Sequence, residues 1–111
     1  MNYKRGDIVW VKFPFTDASD SKLRPALLIS NEIINTTGDH LLMQITTRLR
    51  NDEFSLSINS FDYAGTPLRK PGELRLHKIF ILNESLIAGS ITIVSSDFMK
   101  KAIERLLILI S

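Results

Sequence analysis

Apolar and polar positions along this chain change places every second residue in several short stretches, the spacing of half-buried strands. Ile8-Val9-Trp10-Val11-Lys12-Phe13 is rich in β-formers. Val9, Val11 and Phe13 share one face, and Ile8, Trp10 and Lys12 the other. Arg5-Gly6-Asp7 before it reads as a turn into the first strand, and Pro14 ends that strand. A polar, turn-rich stretch from Thr16 to Lys22 follows, long for a hairpin connection. Pro25-Ala26-Leu27-Leu28-Ile29-Ser30 then runs without polar alternation, which predicts a strand buried on both faces. Asn31 to Asp39 reads as loop, with room for one helical turn through Glu32-Ile33-Ile34.

Leu41 to Thr46 predicts a third strand, with Leu42, Gln44 and Thr46 on its partly polar face. Thr47 to Asp52 is a basic-then-acidic loop, and Phe54-Ser55-Leu56-Ser57-Ile58 alternates as a fourth strand. Asn59 to Gly72 holds Gly65, Pro67, Pro71 and Gly72 and reads as loop. In Glu73-Leu74-Arg75-Leu76-His77-Lys78-Ile79, Leu74 and Leu76 point to the core, and Glu73, Arg75 and His77 to the other side. Asn83-Glu84-Ser85 is a turn signal, and Leu86 to Val94 a last strand, with Gly89 as a place to bend. Ser95 or Ser96 suits an N-cap, and Phe98, Ala102, Ile103, Leu106 and Leu109 or Ile110 form a helical stripe. About six short strands and one C-terminal helix predict a mainly β protein, a small barrel or partly closed sheet with the helix over one opening or face.

Composition narrows the class. A chain of 111 residues, 44% apolar, fits one domain over residues 1–111 with a modest core. There is no cysteine, which excludes a disulfide scaffold, a thiol nucleophile and a cysteine-ligated metal, and fits a reducing, cytoplasmic setting. The polar start has no signal-peptide pattern, and no apolar run approaches the length of a membrane span. A net charge of +2 permits an anionic partner without demanding one.

Arg24 stands directly before Pro25, which holds it extended at the rim of a buried strand. A guanidinium so placed suits a phosphate or carboxylate. Thr46 ends a partly polar strand face, and Arg75 and His77 lie side by side on another strand. Two arginines, a hydroxyl and an imidazole compose a phosphate site: the arginines stabilise charge on phosphoryl oxygens, and histidine transfers protons near neutrality. Taken singly, each has a bland reading as an ion pair, a strand-end threonine or a surface histidine. His40 and His77 lack metal-ligand spacing, and neither a Gly-rich phosphate loop nor a nucleophile elbow is present, so no metal and no cofactor is expected.

The ordered set Arg5-Gly6-Asp7-Ile8-Val9-Trp10-Val11, Phe13-Pro14-Phe15-Thr16-Asp17, Lys22 to Ser30, Gln44-Ile45-Thr46-Thr47 and Leu68 to Leu76 resembles the PemK/MazF-like toxins of type II toxin–antitoxin modules. The resemblance spans nearly the whole chain. It implies an SH3-like β-barrel with a C-terminal helix, a homodimer, and a metal-independent endoribonuclease cutting single-stranded RNA to 2′,3′-cyclic phosphate and 5′-hydroxyl ends. By the same resemblance Arg24 would stabilise the phosphate or donate a proton, Thr46 would orient the scissile phosphate, and Arg75 would sit near it. Phe15, Lys22, Thr47 and Arg48 would border RNA, and a cognate antitoxin would occupy the same groove. Some members carry an acidic residue two positions after that arginine. Here it is His77: a neutral imidazole can take the 2′-hydroxyl proton in a carboxylate's place, and an imidazolium can protonate the leaving oxygen. The alternative reading is a non-catalytic barrel that binds nucleic acid or a protein partner.

Overall fold

The structure, a computed structural model, describes residues 3–12 and 23–111. Among the described residues six strands form one antiparallel sheet: β1 (Asp7–Lys12), β2 (Leu23–Leu28), β3 (Asp39–Thr46), β4 (Ser55–Ile58), β5 (Gly72–Asn83) and β6 (Ile87–Ile93). A one-turn helix α1 (Glu32–Asn35) links β2 to β3, and α2 (Ser96–Ile110) ends the chain. The spatial order is β4-β5-β3-β2-β1-β6.

Each strand ladder follows from the alternation. β1 enters through Gly6, whose positive φ of 98° makes the turn. Its N–H donates to the Leu28 carbonyl and its carbonyl accepts from Val94. β2 is buried on both faces from Ala26 onward: Leu27 joins a core beneath α2, while Ala26 and Leu28 join a second core on the other face with Val9, Val11 and Leu42. Burying one such aliphatic side chain is worth about 1.5–3 kcal/mol, so sliding a strand by one residue costs several at once.

The sheet is not closed by a ladder among the described residues. Its edges, β4 and β6, meet through the segment just after β4. Tyr63 bridges Val94, the N–H groups of Ala64 and Gly65 both donate to the Ile93 carbonyl, and Ser95 N–H donates to Asp62 O at 2.8 Å. The stretch expected as one loop from Asn59 to Gly72 thus contains a 3-10 turn at Ser60–Asp62 and these closing contacts. β4 has only four residues, too few to meet the far edge itself.

α2 starts where the sequence places it. Ser95 accepts a hydrogen bond from Phe98 N–H at 3.1 Å, and Asp97 stands in the first turn, where the helix dipole favours an anion. Phe98, Ala102 and Leu106 cover the first core. Leu107, Ile108 and Ile110 stay exposed at 50%, 72% and 68%. No helix among the described residues is long and apolar enough to cross a membrane.

β5 departs most from expectation. It runs twelve residues and is interrupted in its pairing with β3. Met43 faces Ile79 and Ile45 faces Leu74, so four β5 residues, Arg75 to Lys78, lie opposite the single residue Gln44. Such extra residues cannot all join the ladder, and they bend the strand outward. β4 pairs along this same bulged stretch, with Ser55 opposite Arg75 and Leu76 N–H donating to Phe54 O at 2.8 Å.

Candidate nucleic-acid cleavage site

The bulge makes a cleft. Gln44 and Thr46 from β3, Arg50 from the β3–β4 loop, and Arg75, His77 and Lys78 from β5 line a cavity of about 300 Å³. Thr46 is brought here together with Arg75 and His77, which lie about thirty residues further along the chain. Gln44 and Thr46 share a face of β3 because their spacing is two.

Thr46 Oγ1 accepts a hydrogen bond from Arg48 N–H at 3.1 Å. Its own proton therefore points elsewhere, and the hydroxyl is oriented as a donor. Arg48 is exposed, so of the pair the backbone N–H turns the loop while the guanidinium faces solvent.

The sequence pattern sets Arg75 beside His77 on one strand face, with an ion pair to Glu73 as its bland reading. Arg75 is instead 6% exposed and its guanidinium is committed elsewhere: Nη1 donates to Asp52 Oδ1 at 2.9 Å and to Ser55 Oγ at 2.7 Å, and Nη2 donates to Asp52 Oδ2 at 3.2 Å. The Arg75 guanidinium, helped by the Ser55 hydroxyl, holds the Asp52 carboxyl down at about 2. Glu73, on the side away from Leu74 and Leu76, is fully buried. Its two oxygens accept from the backbone N–H groups of Arg50 and Asn51, at 3.0 and 3.2 Å. Burial pushes its carboxyl up, but the Arg50 N–H, the Ser55 hydroxyl, the Asn51 N–H and the Arg75 charge together outweigh it and hold the group low. Asn51 adopts a positive φ of 48°, a conformation asparagine tolerates better than most residues. Two β5 side chains thus clamp the β3–β4 loop over the cleft, and Arg50 is delivered to its rim by a bond to its own backbone.

His77 is exposed, and its ring packs on Phe54 with centroids 4.3 Å apart. Loss of solvent, with the nearby Arg75 and Lys78 charges, lowers its pKa below 6.5 against the opposing pull of Asp52. Near neutral pH the imidazole is neutral, the form that accepts a proton.

Arg24 does not line this cavity. It lies exposed on β2, two residues before Ala26, which pairs with Gln44. Two positions further along the same register from Gln44 is Thr46, so Arg24 and Thr46 come to the same end of neighbouring strands. Thr47 lines a neighbouring apolar cavity of about 470 Å³ with Trp10, Pro25, Leu68, Arg69 and Lys70. Phe15 and Lys22 lie outside the described residues. Gln44, Arg50 and the Asp52 partnership were not singled out from sequence. For Gln44 a signal existed, since it shares the polar face of Thr46; for Arg50 and Asp52 only a charged loop was visible. Among the described residues no group of three or more His, Cys, Asp or Glu is placed to hold a metal ion.

Taken together, the fold and cleft define a small antiparallel β protein with a polar, cation-rimmed groove at one sheet end, suited to a phosphate-bearing chain. The chain belongs to the PemK-like, MazF-like toxins of type II toxin–antitoxin systems, whose family model matches residues 4–110. No curated protein matches it. Among solved structures it is similar to an endoribonuclease in complex with its cognate antitoxin from a mycobacterial species, with a TM-score of 0.78 at 20% identity, covering 96% of this chain and 93% of that one. It is also similar to the MazE–MazF complex of Deinococcus radiodurans, with a TM-score of 0.77 at 19% identity over 96% and 94% of the two chains. The Mycobacterium tuberculosis toxin MazF-mt6 matches with a TM-score of 0.69 at 14% identity over 91% of each. At these identities the structural likeness establishes a shared fold.

Proposed function

We propose that this chain is a single-domain, metal-independent endoribonuclease that acts on single-stranded RNA in the cytoplasm as the toxin of its module. The observation that carries the reading is the cleft itself: an oriented Thr46 hydroxyl and a neutral His77 imidazole share one small cavity rimmed by Arg50 and Lys78, in a chain of the toxin family. RNA supplies its own nucleophile. His77 takes the proton from the ribose 2′-hydroxyl, the 2′-oxygen attacks the adjacent phosphorus, and the bond from phosphorus to the 5′-oxygen breaks. One proton moves overall from the 2′-oxygen to the 5′-oxygen, leaving a 2′,3′-cyclic phosphate and a 5′-hydroxyl.

Thr46 donates to a non-bridging oxygen and sets the phosphate in line. Arg24 stabilises the negative charge that grows on those oxygens through its guanidinium. Arg75 contributes its field and its grip on the loop, since Asp52 and Ser55 already engage its nitrogens. Thr47 and Arg48 continue the RNA path.

The assembly is a homodimer, supported by the exposed aliphatic end of α2 at Leu107, Ile108 and Ile110. An antitoxin segment of acidic and apolar residues docks on the same groove against Arg24. Cleavage of a long single-stranded RNA by the purified chain in EDTA, beside Arg24→Ala, tests the reading. Cuts ending in cyclic phosphate, lost in the variant, support it. Intact RNA with folded, antitoxin-free protein overturns it.

A further inference from the structure

A second cavity, of about 660 Å³, opens at the other end of β3. His40 and Thr46 lie on the same strand face six residues apart, roughly 20 Å at the usual rise of a strand. The cavity uses none of the cleft residues. Its walls hold both charges: Lys4 and Arg5 before β1, Glu32 of α1, and Glu84 just after β5. His40 lies in its wall at 1% exposure, with the ring of Tyr3 edge-on at 5.9 Å.

The hydrogen-bond network around His40 fixes which way its ring is turned. Ser30 Oγ accepts from Leu41 N–H at 3.0 Å, so its own proton goes to Asn35 Oδ1. Asn35 Nδ2 donates to the Ser30 carbonyl at 2.8 Å; turning the amide over would set two carbonyl oxygens against each other. Asn35 Oδ1 therefore faces His40 Nδ1 at 2.8 Å, and Nδ1 donates to it. The other ring nitrogen, Nε2, is buried without a hydrogen-bond partner, and Glu84 Oε2 lies 3.6 Å from it. A ring nitrogen left without a partner is costly when buried.

We propose that this cavity binds a small zwitterion of the α-amino-acid class, with its ammonium donating to His40 Nε2 and Glu84 and its carboxylate meeting Lys4 and Arg5. An ammonium carries three donors and a positive charge, so it satisfies both acceptors at once. The Lys4 and Arg5 cations that also line the cavity select for an adjoining anion. An amine alone leaves Lys4 and Arg5 unanswered, and a carboxylate alone meets the Glu84 charge unfavourably.

The test is an NMR titration of the purified full chain with free L-amino acids, one at a time, beside their N-acetyl forms. Saturable shifts at Tyr3, Asn35 and His40, abolished by N-acetylation and weakened about tenfold or more by Glu84→Gln, support the proposal. Lys4→Ala with Arg5→Ala must weaken the same binding, because the carboxylate loses its partners. The proposal is overturned if no amino acid shifts those resonances, if acetylated forms bind equally, or if Glu84→Gln leaves affinity unchanged. It is also overturned if the free protein holds both His40 ring protons near neutral pH, since Glu84 would then already satisfy Nε2.

Discussion

Arg75 donates through both terminal nitrogens to the two carboxylate oxygens of Asp52, at 2.9 and 3.2 Å, twenty-three residues apart in sequence. A forked pair of this kind fixes direction as well as distance. Ser55 completes it by donating to Asp52 Oδ1 at 2.8 Å while accepting from Arg75. The pair closes the β3–β4 loop onto β5 and leaves the cleft with an arginine that already commits three of its five N–H donors to Asp52 and Ser55.

The pair sets an acid limit. Asp52 is held at about 2, below the 3.8 of an ordinary aspartate, so its contribution to stability is complete above about pH 4. It is lost as pH falls towards 2, where the folded carboxylate takes up its proton. Thermal melts between these values should show wild-type stability falling with acid and Asp52→Asn falling less. Parallel curves for the two proteins would mean that the pair contributes nothing.

Glu73 holds the same loop from beneath. Glu73→Gln retains one acceptor but loses the charge and the second, and should cost about 1–3 kcal/mol in urea unfolding. Amide exchange at Arg50 and Asn51 should quicken with it. Unaltered protection of these two amides would show that the loop is held by other contacts.

His77 should impose an acid limb on RNA cleavage. Its pKa lies below 6.5, so activity should stay level near neutrality and fall as pH drops through a midpoint under that value. His77→Phe keeps a ring against Phe54 and removes the base. The expected loss in kcat is about 10²–10⁴-fold, with disappearance of the acid limb. A variant that retains both rate and limb would place the base elsewhere.

Arg24 and Arg75 should separate by what they damage. Arg24 is exposed, so Arg24→Ala should leave stability within about 0.5 kcal/mol of wild type while lowering kcat about 10²–10³-fold. Arg75→Ala strands the Asp52 carboxylate and should lower the melting temperature as well as activity. Equal stability of the two variants, measured by calorimetry, would contradict the division of labour between them.

The α2 cap offers a purely structural control. Ser95→Ala removes the acceptor for Phe98 N–H and should cost about 0.5–2 kcal/mol without altering the pH dependence of cleavage.

Much of the architecture was legible in the sequence because its causes are local. Alternation at β3 and β4, the unbroken apolar run of β2, the Gly6 turn and the Ser95 cap each act over a few residues. The likeness to the toxin family likewise lay in short ordered blocks, and Thr46 and His77 do meet in one cleft. What only tertiary structure decided is which polar groups find one another. The sequence pattern sets Glu73 and Arg75 on the side away from Leu74 and Leu76, but it does not say whether that side meets water or a loop. The loop's Asp52 and its backbone N–H groups come from beyond β3, and the four-residue bulge opposite Gln44 depends on two strands meeting out of step. A burial pattern is written along the chain, whereas an ion pair and a cavity need two distant segments in register, and only the folded sheet sets that register.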